Sequence, residues 1–161
     1  MEPFALRDGL CYPPFKMSIF SKAEKACDPG RVLIVDDEGP VRKLFKMILA
    51  EDMPSLIIDE ACNGLEAVRA FREHNHGVVT MDLRMPVMDG LQAFHNLEKV
   101  CEEDRCRMPV VIFCTGFVPP DSVNDIVARG PHHQLLHKPV RSAVIVEAIQ
   151  NGIKNISPSA S

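Results

Sequence analysis

Five times along this chain a short aliphatic run ends on polar residues and is followed by apolar residues at helical spacing. That alternation restricts the fold more than any other feature. "RVLIVDD", from Arg31, reads as a strand buried on both faces. Val41, Leu44, Phe45, Ile48 and Leu49 then mark one side of a helix beginning near Pro40, a residue suited to a first helical turn. "SLIIDE" predicts a second strand, and Leu65, Val68 and Phe71 a second helix with Gly64 near its start. "GVVTMD" predicts the third strand, followed by a helix that carries Leu91, Phe94, Leu97 and Cys101 and takes Asp89 as N-cap. "PVVIFCT" and "HQLLHK" predict strands four and five. Val123, Ile126 and Val127 stripe the fourth helix, and Ile145, Ile149 and Ile153 the fifth. Strands and helices alternating through short loops demand a parallel sheet covered on both faces, a doubly wound α/β (βα)5 three-layer sandwich.

The flanks read differently. Residues 1–30 carry Pro3, Pro13, Pro14, Pro29 and Gly30 with little periodicity, which predicts a flexible leader with a short helix around residues 18–27. Residues 31–154 are expected to form the domain and 155–161 a polar tail with no output domain behind it, as in a stand-alone module or in a fragment of a longer regulator or hybrid kinase. A net charge of −4 argues against an extended nucleic-acid-binding face, so no direct nucleic-acid partner is expected. No apolar run approaches the length of a membrane span, and the first twenty residues make a poor secretion signal. The six cysteines follow no disulfide-scaffold rhythm, which predicts a reducing, cytoplasmic setting.

In open parallel sheets ligands gather beyond the carboxyl ends of the strands. Strand one ends in Asp36 and Asp37, strand three in Asp82, strand four in Thr115, and strand five in Lys138 before Pro139. Taken singly, a strand-end aspartate is usually a turn former, a threonine a β-former and a lysine a solvated charge. Their convergence at one sheet edge favours chemistry instead. Clustered carboxylates repel one another unless a cation neutralises them. Asp36, Asp37 and Asp82 therefore make an oxygen-rich site suited to Mg2+, with Mn2+ as the substitute. A metal-bound aspartate can attack phosphorus and become an aspartyl phosphate. Lys138 and the metal can neutralise phosphoryl oxygens, and Thr115 can donate its hydroxyl to one of them.

"VLIVDDE", "MDLRMPVMDG", "CTG" and "HKP", in this order, resemble the receiver domain of two-component response regulators over roughly residues 31–154. The resemblance implies a flavodoxin-like fold with strand order 2-1-3-4-5. It implies Asp82 as phosphoacceptor, Asp36 and Asp37 as the acidic metal pair, and the Arg84 backbone carbonyl as a further metal ligand. Thr115 becomes the switch hydroxyl, Lys138 the partner of the phosphoryl group, and the Lys138–Pro139 bond cis. The implied donor is a histidine kinase or a histidine phosphotransfer protein. The implied output is a homodimer or downstream protein bound through helix 4, strand 5 and helix 5. Activity would be limited to self-phosphorylation and autodephosphorylation, with no turnover of an external substrate. Two places depart from the family pattern. Leu135 stands where an aromatic ring commonly lies, and Pro119 and Pro120 precede helix four. Both put the usual coupling between Thr115 and the output surface in question.

Other signals carry less. Cys101 and Cys106 have a metal-like spacing, but the nearby chain supplies no second ligand pair. His132, His133 and His137 read as satisfied or exposed histidines. Strand one lacks the glycine pattern of dinucleotide enzymes. Two other functions compete with the phosphoacceptor: a receiver-like interaction domain that works without phosphate, and a metal-dependent phosphatase. The phosphatase is disfavoured because its nucleophile more often ends strand one.

Overall fold

The computed structural model describes residues 6–7, 10–11, 24–130 and 132–157. A short antiparallel pair, β1 (Leu6–Arg7) and β2 (Leu10–Cys11), lies in the leader. The main sheet contains β3 (Asp28–Val35), β4 (Ile57–Ala61), β5 (His76–Asp82), β6 (Val110–Thr115) and β7 (Gln134–His137), all parallel. Their spatial order is β4-β3-β5-β6-β7, which is 2-1-3-4-5 counted within this sheet. The intervening helices are α1 (Gly39–Asp52), α2 (Gly64–His74), α3 (Gly90–Asp104), α4 (Asp121–Arg129) and α5 (Ser142–Ile156). The chain is thus the doubly wound (βα)5 sandwich that its periodicity requires, with the flavodoxin-like strand order that the resemblance implies. Among the described residues no helix is long and apolar enough to cross a membrane.

Side chains alternate across each strand, so every strand feeds two cores. Leu33, Val79, Met81, Val111 and Phe113 face α2, α3 and α4, where they meet Phe71, Phe94, Leu97 and Val123. Val32, Ile34, Val78, Val110 and Ile112 face α1 and α5, where they meet Phe45, Leu49, Ile145 and Ile149. β5 and β6 are buried along their whole length because helices cover both faces. The helix ends are specified locally. The Asn63 side chain accepts from the Glu66 N–H, and Asp89 forms a full capping box with Gln92. α2 and α3 end on the left-handed residues Asn75 and Arg105, both at φ 51°.

The leader differs from expectation. β3 starts at Asp28 rather than Arg31, and most of the helix expected around residues 18–27 lies outside the described residues. Residues 24–27 are not helical. The Lys25 N–H donates to the Arg105 carbonyl (2.8 Å), and its carbonyl accepts from the Arg107 N–H (3.0 Å). Pairing with the loop after α3 satisfies backbone groups that a helix would otherwise satisfy internally.

Near the amino-terminal ends of β3 and β5, Asp59 joins two buried or half-buried neighbours. It accepts from Arg31 Nε at 2.5 Å and lies 2.8 Å from His76 Nε2, while the His76 ring is fully buried with no hydrogen-bond partner at Nδ1 among the described residues. Burial holds the His76 imidazole below its usual value despite Asp59. Arg31 pulls the Asp59 carboxyl down to about 2. A depressed carboxyl stabilises the fold above its unfolded value of 3.8, and that stability is lost as pH falls through about 2. Asp59→Ala should cost about 2 kcal/mol by urea unfolding at neutral pH, because it removes the one hydrogen-bond partner that His76 has on its ring among the described residues. Asp59→Asn, which keeps an acceptor, should cost clearly less; equal losses would remove His76 from the account.

Candidate functional site

Each polar residue expected at the sheet edge arrives there by the end of its strand. Asp36 follows β3 and is 2% exposed, Asp82 closes β5 at 6%, and Asp37 is exposed. One carboxylate oxygen from each of the three lies within 4.8 Å of the others. Asp36 is held firmly: its Oδ1 accepts from the Glu38 N–H (2.9 Å), and its backbone carbonyl accepts from Arg42 Nη1 (2.7 Å). Lys138 Nζ comes from just past β7 to 2.6 Å from Asp36 Oδ2 and 3.4 Å from Asp82 Oδ2. The Lys138 N–H also donates to the Thr115 carbonyl (2.8 Å), tying the ends of β6 and β7, and the Lys138–Pro139 bond is cis.

The electrostatics follow from this crowding. Burial first, and then the Asp36 charge, push the Asp82 carboxyl up to about 6, against the pull of Lys138. Burial would lower the Lys138 ammonium, but its hydrogen bond to Asp36 and the charges of Asp36 and Asp82 outweigh burial and hold it above its usual value. One ammonium therefore leaves three carboxylates under-compensated. The donors are all oxygen and one carboxylate opens to solvent, a set that fits a small hard divalent cation.

The loop after β5 is built to hold Asp82 at this edge. The Gly90 N–H donates to the Leu83 carbonyl (3.0 Å), and a Cβ on Gly90 would collide with the Asp82 carbonyl oxygen, so only glycine allows that approach. Between them Val87 sits at φ 71°, inside a tight turn closed by the Met88 N–H and the Pro86 carbonyl (2.8 Å). The Arg84 N–H reaches back toward Asp82 Oδ1 at 3.4 Å.

Two contacts here had no signal in the sequence pattern. The Arg84 guanidinium lies over the Phe117 ring, 3.8 Å from its centroid. Thr115 Oγ1 accepts from the Phe117 N–H at 3.2 Å, so the hydroxyl is tethered to its own loop. The loops after β5 and β6 thus touch through Arg84 and Phe117. Beside them lies a cavity of about 640 Å³ lined by Asp37, Arg84, Asp89, Thr115, Phe117 and Pro120 among others. The Phe117 side chain is 54% exposed and Val118 91% exposed. Leu135 is half-buried and packs into the core on the α2–α3–α4 side. Pro120 serves as N-cap of α4. His133 is a satisfied histidine, with Nδ1 accepting from the Val111 N–H (3.0 Å).

The model of the response regulator receiver domain matches residues 32–150 of this chain. The chemotaxis protein CheY of Bacillus subtilis is 33% identical over 119 residues, covering 74% of this chain and 93% of that protein. A response regulator receiver domain from Clostridium thermocellum superposes with a TM-score of 0.63 at 27% identity, over 78% of this chain and 95% of that one. The CheX–CheY–BeF3–Mg complex of Borrelia burgdorferi contains a chain with a TM-score of 0.61 at 29% identity, covering 74% of this chain and 86% of that one.

The raised carboxyl sets a stability test. A group whose folded value lies above its unfolded one destabilises the fold when ionised, so Asp82 costs most above about pH 6. Asp82→Asn should stabilise the metal-free protein by about 2 kcal/mol at pH 7, and the gain should vanish as pH falls toward 4. Urea midpoints of both proteins across that range check it; a gain independent of pH would contradict the ionic origin.

Proposed function

We propose, from the premise that the chain belongs to the response regulator receiver domain family, that it is a phosphoacceptor module in which Asp82 takes a phosphoryl group from a phosphohistidine. The donor is a histidine kinase or a histidine phosphotransfer protein, met in the cytoplasm, and residues 31–154 form the signalling unit. The observation that carries the reading is Lys138 Nζ, 3.4 Å from Asp82 Oδ2, beside three converging carboxylates.

An Asp82 carboxylate oxygen forms the new bond to phosphorus as the P–N bond of the donor breaks, and the donor imidazole keeps the electron pair. Mg2+, or Mn2+ in its place, held by Asp36, Asp37, Asp82 and the Arg84 backbone carbonyl, would neutralise the phosphoryl oxygens when bound. The beryllofluoride and Mg2+ of the Borrelia complex support that part. Lys138 presents its ammonium to the same oxygens. Thr115 can donate its hydroxyl to one of them, which competes with the hydrogen bond that now ties it to the Phe117 N–H. Output then runs through the loop carrying Phe117 to the face made by α4, β7 and α5, where a homodimer or downstream protein binds. Leu135 is a packed aliphatic side chain and has no ring to rotate, so the loop moves more than β7 does.

Incubation with Mg2+ and acetyl phosphate should add one acid-sensitive, hydroxylamine-labile phosphoryl group by intact mass, and Asp82→Asn should abolish it. Lys138→Ala should still bind Mg2+ but slow uptake roughly hundredfold. A phosphoryl group mapped to a serine would overturn the assignment.

Metal affinity supplies a separate check. Asp37→Asn should weaken Mg2+ binding about tenfold. Because the ion requires ionised Asp82, wild-type affinity should fall roughly tenfold between pH 7 and pH 5. Calorimetric titration showing equal affinities at both pH values would exclude Asp82 as a ligand.

With beryllofluoride bound, backbone amide shifts should extend from the pocket through residues 121–130; changes confined to the pocket would remove α4 from the output.

A further inference from the structure

We propose that the pole opposite the acidic pocket holds a soft-metal site for a cuprous ion, built from the thiols of Cys101 and Cys106 and the thioether of Met108, with Cys27 behind them. This site stands independently of the phosphoryl reading. In sequence Cys101 and Cys106 lack a second ligand pair; the fold brings Met108 to Cys101 and sets Cys27 at the Arg107 carbonyl that Cys101 also faces.

α3 ends on the left-handed Arg105, and the Cys106 N–H turns back to donate to the Cys101 carbonyl (3.1 Å). Cys101 Sγ then lies 3.9 Å from Met108 Sδ. The leader runs alongside through Lys25, and this delivers Cys27. Cys27 and Cys101 both point at the Arg107 carbonyl, with Sγ–O distances of 3.1 and 3.5 Å. Cys27 and Cys106 are buried, whereas Cys101 and Met108 are half-exposed and leave an entry for an ion.

Sulfurs bonded at about 2.3 Å to a trigonal ion stand roughly 4 Å apart, close to the Cys101–Met108 separation. Two thiolates and a thioether form a soft donor set, which favours Cu(I). Zinc, by contrast, wants four nitrogen or sulfur ligands and gains little from a thioether. Disulfide chemistry is disfavoured here. Burial and then the neighbouring Cys106 thiol raise Cys101, and burial and then Cys106 push Cys27 up to about 11. Such thiols are poor nucleophiles toward an oxidant. A soft cation removes the obstacle by displacing the protons outright. Two S–H protons pass to solvent as two copper–sulfur bonds form, the thioether contributes a lone pair, and copper remains Cu(I) throughout. Binding would also lock the leader onto the loop after α3.

The reduced, full-length chain should be titrated anaerobically with Cu(I) against bathocuproine disulfonate. One equivalent should be retained, with ultraviolet thiolate-to-copper absorption, proton release, and slowed amide exchange at Lys25 and Arg107. Cys101→Ser and Met108→Leu lie at half-exposed positions, and each should weaken binding roughly tenfold or more with circular dichroism unchanged. Cys62→Ser, at a distant thiol, should leave affinity as it was. Failure to hold Cu(I) against the chelator, or wild-type affinity in either Cys101→Ser or Met108→Leu, overturns the site. So does recovery of a Cys101–Cys106 disulfide in place of bound copper.

Discussion

Two carboxylates, Asp36 and Asp82, are buried side by side at the carboxyl edge of the sheet, and the surrounding architecture answers that repulsion. An isolated buried charge is too costly to keep, so it must be neutralised by a proton or by a cation. Lys138 is the internal cation. It reaches Asp36 across 102 residues of chain because the parallel strands bring the carboxyl ends of β3 and β7 to the same edge of the sheet. Its single charge does not offset burial and the neighbouring Asp36 charge, which together push the Asp82 carboxyl up to about 6. The remaining deficit falls on three carboxylates that converge closely enough to hold a metal ion.

The same edge carries the mechanical connections. Thr115 is bound to Lys138 through backbone and to Phe117 through its hydroxyl, and Phe117 lies under Arg84. A change in what Thr115 binds must therefore alter the loop after β6, and that loop is the one linked to the β5 loop. In this chain the aromatic contact lies within the loops, while Leu135 in β7 is packed into the core. The aromatic contact at this edge therefore lies in the loops and not in β7, with Pro120 marking where the loop after β6 meets α4.

The two poles of the sheet differ in chemical hardness. Oxygen donors crowd the carboxyl edge, and sulfur donors gather near the amino edge, around the Arg107 carbonyl. Hard and soft cations would thus be sorted by position in the fold, with little competition between the sites.

The sheet, the five helices, the capping role of Asp89 and the residues at the carboxyl edge were legible in the sequence, because periodicity and strand-end placement are local properties. "VLIVDD" must be a buried strand, and Asp36, Asp37, Asp82, Thr115 and Lys138 must then share an edge. What tertiary structure alone decided are the contacts between segments distant in sequence. Lys138 pairs more closely with Asp36 than with Asp82, Arg84 stacks on Phe117, Met108 lies against Cys101, and Cys27 and Cys101 turn to the same Arg107 carbonyl. The leader near Lys25 took an extended path instead of a helical one, since its backbone partners belong to the loop after α3. Periodicity records which face a residue presents to the core, but carries no record of which residue waits on the other side.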